Sequence, residues 1–119
     1  MIIGTGIDIV EIKRIRQIML RQKKFINRIL TDNEKEIYAG LTERRKSEFL
    51  SGRFAAKEAY SKAVGTGIGG QLSFLDIEII PDEKGKPCLT KPTDYQVHVS
   101  ISHSKDFAVS QVIIESSSS

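Results

Sequence analysis

Apolar and polar positions follow two periods along this chain. In residues 2–10 the side chains alternate: Ile3, Ile7 and Ile9 fall on one face with Thr5 between them, and Gly4, Gly6 and Asp8 fall on the other. This predicts a β-strand whose second face carries a carboxylate beside two absent side chains, with open space around it. The plainer use of Asp8 is to cap the helix that follows. From residue 11 the period lengthens. Ile12, Ile15 and Met19 predict an amphipathic helix over 11–22, with Arg14, Ile18 and Arg21 together on its exposed side and Gln17 and Gln22 nearby. Lys23, Lys24 and Arg28 extend the positive charge. Thr31-Asp32-Asn33-Glu34 fits a capping box and starts a short helix that runs to Ala39 and stops at Gly40. Thr42 then caps a long helix, Glu43 to Val64.

On a wheel of about 100° per residue the long helix has two notable faces. Phe49, Gly52, Ala56, Ala59, Tyr60 and Ala63 form a small, apolar face suited to close packing. Ser51, Phe54, Ala55, Glu58, Ser61, Lys62 and Gly65 form another, where a carboxylate and an ammonium stand four residues apart among small side chains. Gly52 costs about 1 kcal/mol relative to Ala inside a helix, which the close approach of another backbone would explain. Arg44, Arg45 and Lys46 in the first turns oppose the helix dipole and hint at an anionic contact. Gly65 is expected to end the helix in the left-handed conformation.

Gly65-Thr66-Gly67-Ile68-Gly69-Gly70 matches G-x-G-x-x-G in form only. The dinucleotide-binding motif needs a strand before it and a helix after it, whereas here a helix precedes the loop and its C-terminal dipole disfavours phosphate. The glycines suit tight turning or the close approach of a ligand or neighbouring chain. Strand period then returns. Leu75, Ile77 and Ile79 alternate with Asp76 and Glu78, residues 81–87 read as a turn, and Cys88 and Leu89 start a return strand. Val97, Val99 and Ile101 lead through a turn at Ser102–Asp106, beginning beside His103, into a last strand over Phe107–Ile114, which completes a hairpin.

Composition narrows the partners. With 39% hydrophobic residues, 119 residues make one modest globular core, and no second domain or repeat is visible. The net charge of +3 favours anionic partners. Cys88 is the single cysteine, so no intrachain disulfide forms, which fits a reducing compartment. No secretory signal or membrane-length apolar run is present, so the expectation is a soluble, cytoplasmic protein without a membrane partner. Ser116–Ser119 reads as a frayed tail.

No Ser-His-Asp pattern and no zinc-spaced Cys/His cluster is legible. Asp8 and Glu58 stand out as two carboxylates that, with water and phosphate oxygens, would suit Mg²⁺. The plain alternative for Glu58 and Lys62 is an i,i+4 surface pair worth about 0.3–0.5 kcal/mol. The basic helix is either a docking face for an acidic partner or a solvated surface. Nucleic acid is the weaker partner class, because aromatic residues are 7% of the chain and none is interleaved in that helix.

Four blocks occur in one order: Gly6-Ile7-Asp8-Ile9-Val10-Glu11, Arg53-Phe54-Ala55-Ala56-Lys57-Glu58-Ala59, Gly65-Thr66-Gly67-Ile68-Gly69 and Val99-Ser100-Ile101-Ser102-His103-Ser104. Together they resemble the bacterial holo-[acyl-carrier-protein] synthases, the small trimeric group of 4′-phosphopantetheinyl transferases. The resemblance implies a single α+β domain over residues 1–119, with a long central helix packed on an antiparallel sheet, assembled as a trimer with sites at subunit interfaces. It implies transfer of the phosphopantetheine arm of coenzyme A to a serine of apo acyl carrier protein, with Mg²⁺, in fatty acid biosynthesis. Asp8 and Glu58 match the metal-binding acids, and Lys62 matches a catalytic lysine near the pyrophosphate. Arg53 and His103 match positions that bind coenzyme A, joined by Arg45 and Gly65, with a neighbouring subunit supplying part of the set. Arg14, Ile18, Arg21, Gln22 and Lys24 match the helix that docks on the carrier protein; Lys24 stands where an arginine is also found. Ser102 and Ser104 flank His103 where threonine is common, and residues 88–96 match less clearly.

Overall fold

The structure, a computed structural model, describes residues 1–116. The expected tail lies outside the described residues apart from Ser116, whose backbone N–H donates to the Met1 carbonyl at 3.0 Å. Strand β1 (Ile2–Glu11) leads into helices α1 (Ile12–Arg21), α2 (Phe25–Ile29), α3 (Asp32–Ala39) and α4 (Glu43–Val64). A 3₁₀ turn (Phe74–Asp76) then precedes β2 (Glu78–Pro81), β3 (Pro87–Lys91), β4 (Gln96–His103) and β5 (Phe107–Glu115). The strands form two antiparallel sheets, β1-β5-β4 and β2-β3. This is the expected α+β arrangement of a long helix on antiparallel strands.

The helix limits follow from local chemistry. Thr31 Oγ1 accepts from the Glu34 N–H and the Glu34 carboxylate accepts from the Thr31 N–H, so the capping box is complete. Thr42 accepts from the Arg45 N–H, and Gly65 ends α4 at φ +99°, in the left-handed region. Asp8 caps nothing: the residue at the start of α1 is Glu11, and its side chain makes no capping bond.

Helix α4 organises two cores. Ala56, Ala59 and Tyr60 pack against Ile77, Ile79, Val99, Val112 and Ile114, and Leu50 packs with Ile15, Phe25, Ile29 and Leu30 beneath α1 and α2. The glycines of β1 let α4 lie directly on the strand. A Cβ on Gly6 would stand 1.9 Å from the Ala59 carbonyl oxygen, and one on Gly4 2.1 Å from that of Ala63. The open space expected beside Asp8 is therefore filled by helix backbone. Gly52 is covered by a side chain of β4, not by another backbone, since a Cβ there would meet Ile101 Cγ2 at 3.0 Å. Half of the second wheel face is inside: Ser51, Ala55 and Ser61 are fully buried, Phe54 and Glu58 are half-buried, and Lys62 and Gly65 at its end are exposed.

One expected strand start is replaced. Asp76 accepts from the Ser73 N–H and hydroxyl at 2.9 and 3.2 Å, and this local bonding bends Phe74–Asp76 into the 3₁₀ turn with Leu75 exposed. Glu78 does not point outward in alternation. It is buried, accepting from the hydroxyls of Thr31 (2.6 Å) and Thr90 (2.7 Å) and the Asn33 amide (3.2 Å).

The outer face of the three-stranded sheet is apolar and open. Ile9 lies opposite Val109 and Thr5 opposite Ile113; Ile3, Ile7 and Ile9 are 51%, 62% and 62% exposed. A contiguous apolar face of this kind marks an interaction surface. Among the described residues, no helix is long and apolar enough to cross a membrane.

Candidate functional site

Asp8, Glu58 and Lys62 meet where the last turns of α4 cross β1. Lys62 Nζ donates to Asp8 Oδ1 at 2.9 Å and to the Ile7 carbonyl at 3.0 Å. The alternative of a Glu58–Lys62 surface pair is not what forms: the ion pair of Lys62 is with Asp8, on another element. Geometry explains the choice, because seating β1 against the carbonyls of Ala59 and Ala63 brings Asp8 within reach of the lysine.

The two carboxylates differ. Asp8 Oδ2 is buried and has no hydrogen-bond partner. Glu58 is half-buried, and burial, then the Asp8 charge, pushes its pKa above the ordinary carboxylate value while Lys62 partly offsets them. Like charges held close together in partial burial are costly unless a cation joins them. Among the described residues, no three His, Cys, Asp or Glu side chains cluster. Two carboxylates with one orphaned oxygen fit a hard divalent ion, which keeps several waters and takes further oxygens from a phosphate.

A second group of expected site residues lies apart from the first. Arg45, Arg53 and His103 line one cleft of about 350 Å³, together with Glu48, Phe49 and the Pro81–Pro87 turn; Asp8, Glu58 and Lys62 are not among its walls. Arg53 and Glu58, five residues apart, differ by about 140° around α4, so they face different ways. Arg53 Nε donates to the Ile79 carbonyl at 3.0 Å and its guanidinium lies 4.2 Å from the Phe49 ring centroid, while burial lowers its pKa to about 10, opposed by Glu34. It stays cationic at neutral pH. Glu48 Oε2 lies 3.9 Å from His103 Nδ1 and 3.8 Å from Arg44 Nε. Gly65 is exposed just beyond Lys62, and its N–H is bonded to the Ser61 carbonyl at 3.0 Å.

The basic helix offers a third surface. Arg14 and Ile18 line a groove of about 390 Å³ whose floor includes Phe25, Phe54 and Phe107. Arg21, Gln22 and Lys24 are exposed at the far end of α1 and beyond it. Ile18 is half-buried against the second core, so its apolar edge sits between the two exposed arginines.

Sequence reasoning missed Phe49 and the Pro81–Pro87 turn as cleft walls, and it gave Glu34 and Lys57 no part beyond a cap and a motif. Lys57 is fully buried and paired with Glu34 at 2.6 Å.

The chain matches known proteins from end to end. Residues 4–113 match the family model of the 4′-phosphopantetheinyl transferase superfamily. A holo-[acyl-carrier-protein] synthase of Bacillus thuringiensis (strain Al Hakam) is 60% identical over 119 residues, 100% of each chain. The crystal structure of a holo-(acyl-carrier-protein) synthase from Bacillus anthracis str. Ames in complex with CoA (3′,5′-ADP) superposes with a TM-score of 0.93 at 59% identity, covering 98% of this chain and 99% of that one. The holo-[acyl-carrier-protein] synthase structure from Neisseria meningitidis gives a TM-score of 0.88 at 36% identity, over 97% of this chain and 99% of that one. With a family model spanning residues 4–113 and matches of this extent, the chain belongs to the holo-[acyl-carrier-protein] synthases of the 4′-phosphopantetheinyl transferase superfamily.

Proposed function

We propose that this chain transfers the 4′-phosphopantetheine arm of coenzyme A to a serine hydroxyl of apo acyl carrier protein, releasing adenosine 3′,5′-bisphosphate, in the fatty acid biosynthesis of the cytoplasm. The observation that carries the reading is the buried, unpartnered Asp8 Oδ2 beside Glu58 and Lys62, in a chain 60% identical over its whole length to a holo-[acyl-carrier-protein] synthase.

Asp8 and Glu58 would hold Mg²⁺, which supplies Lewis-acid polarisation of the pyrophosphate when bound. Lys62 stands beside them with three donors. As the P–O bond to the leaving group breaks, it neutralises charge on the departing phosphate or gives it a proton. The serine nucleophile needs its proton removed. A water held near Glu58 or Asp8 would take it. Arg53, held flat by Phe49 and Ile79, presents its terminal nitrogens to a phosphate of coenzyme A, with Arg45 adding charge and His103 a ring N–H donor in the same cleft.

The two half-sites lie on different sides of α4, and the apolar outer sheet face leaves each copy with a surface to bury. A homotrimer, in which the acids of one copy face the cleft of the next, brings them together. The acidic carrier protein docks on α1 through Arg14, Arg21 and Lys24, with Ile18 and Gln22 between them.

The direct test is incubation with apo carrier protein, coenzyme A and Mg²⁺, read by mass spectrometry. One serine gains about 340 Da, the mass of phosphopantetheine, and chelation of the metal stops the reaction. A carrier protein that keeps its mass with every divalent ion tried refutes the reading.

A further inference from the structure

Glu34 does more than cap α3. It is fully buried, as is Lys57, and Arg53 is nearly so. Glu34 Oε1 accepts from the Thr31 N–H at 2.9 Å and from Lys57 Nζ at 2.6 Å, and its Oε2 accepts from the Ile79 N–H at 2.8 Å. The carbonyl of that same Ile79 accepts from Arg53 Nε at 3.0 Å. Both backbone polar groups of one β2 residue are thus taken by side chains of α3 and α4. Lys57 completes the frame by donating to the carbonyls of Ile29 (2.6 Å) and Phe74 (3.1 Å).

This frame ends in the cleft. Arg53 has one nitrogen fixed on Ile79 and its plane laid over Phe49, and it lines the cleft with Arg45 and His103. Two buried cations on one helix repel each other, and Glu34 is the anion that acts on both. A lone capping role would use one carboxylate oxygen and leave the other to solvent. Here the second oxygen is spent on the strand that orients Arg53.

We propose that Glu34 is a positioning residue for coenzyme A: by holding Ile79, and by standing as counter-ion to Lys57 and Arg53, it aims the Arg53 guanidinium into the cleft. The proposal rests on the reading that Arg53 binds coenzyme A. Glu34 touches no substrate and acts through Arg53.

The single variant Glu34→Gln leaves the Lys57 charge unpaired in the core and is expected to fold poorly. The double variant Glu34→Gln/Lys57→Met removes both charges at similar volume and keeps the chain folded. Calorimetric titration of that variant with coenzyme A gives an affinity about tenfold weaker than the wild type, the loss expected for one misaligned charge-assisted contact. Its kcat at saturating coenzyme A and its KM for carrier protein change by less than about twofold, so the loss sits in coenzyme A binding alone. Glu34→Asp keeps the counter-ion but shortens its reach to Ile79, folds, and also loses coenzyme A affinity. A folded double variant or Glu34→Asp protein that binds coenzyme A as tightly as the wild type overturns the proposal and leaves Glu34 a stabilising residue only. Arg53→Ala, titrated alongside, separates the two claims. If it binds coenzyme A normally, the role of Arg53 itself is wrong; if it binds weakly while the Glu34 variants bind normally, only the positioning role falls. Adding Arg53→Ala to the double variant costs little beyond Arg53→Ala alone, and independent, additive losses contradict action through Arg53.

Discussion

Lys62 Nζ stands 2.9 Å from Asp8 Oδ1, tying the end of α4 to β1 across 54 positions of sequence. The pair is half open to water, so its worth to stability is small, under about 1 kcal/mol. Its worth to the proposed reaction is larger, because that reading puts the lysine beside the charge that develops on the departing phosphate. Lys62→Ala is expected to lower kcat about 100-fold with little change in melting temperature. Steady-state transfer assays beside thermal unfolding check both halves. A variant of normal kcat would make Lys62 a structural tie only.

The proposed docking of carrier protein on α1 would be electrostatic at its rim. Arg14→Glu with Arg21→Glu reverses two exposed charges without touching the cleft that holds Arg53. The KM for carrier protein is expected to rise about tenfold or more, while the KM for coenzyme A holds. Added salt should weaken the wild type far more than the variant. Equal losses for both substrates would place the damage elsewhere.

Glu78 carries a pH dependence of its own. Burial raises its pKa, but hydrogen bonds from Thr31, Thr90 and Asn33 outweigh burial and bring the value below the ordinary one, with Lys91 adding to them. A carboxylate with a depressed folded-state pKa stabilises the fold above its unfolded pKa, and that contribution fades as pH falls through the folded value. Glu78→Gln is therefore expected to cost about 2 kcal/mol at pH 7, and the gap from wild type should close on acidification below the ordinary carboxylate range. Urea unfolding across pH reads it. A gap that stays constant with pH would assign the loss to packing.

What could be read in advance was local. The alternation in β1, the capping threonines at 31 and 42 and the stop at Gly65 each depend on neighbours within four residues, and all four stand in the structure. The Asp8–Lys62 pair and the burial of Glu34 with Lys57 depend on contacts across 54 and 23 positions, so nothing local announced them. Glu34 looked like a capping residue because it is one; its second oxygen had no sequence signal. The glycines of β1 suggest open space around Asp8, whereas they are space for a helix backbone. Leu75 was read as the start of a strand because Asp76 fits an alternating pattern equally well as a polar position or as the acceptor that bends a turn. The two groups of catalytic and coenzyme A candidates were legible as residue types, but their separation around α4 was visible only once Arg53 was seen bonded to Ile79 and Lys62 to Asp8.

The central claim is that one transfer site is built from the acids of one copy and the cleft of the next. Two variants divide it: Glu58→Gln removes an acid, and Arg45→Ala with His103→Ala strips an exposed guanidinium and an exposed imidazole from the cleft. Each protein alone should add almost no phosphopantetheine to the carrier protein. Unfolded together in equal amounts and refolded, they should regain about a quarter of the wild-type rate, the share of intact sites expected from random assortment in a ring of three. Mass spectrometry of the carrier protein reads the rate directly. A mixture no faster than the sum of its parts would contradict a site shared between copies.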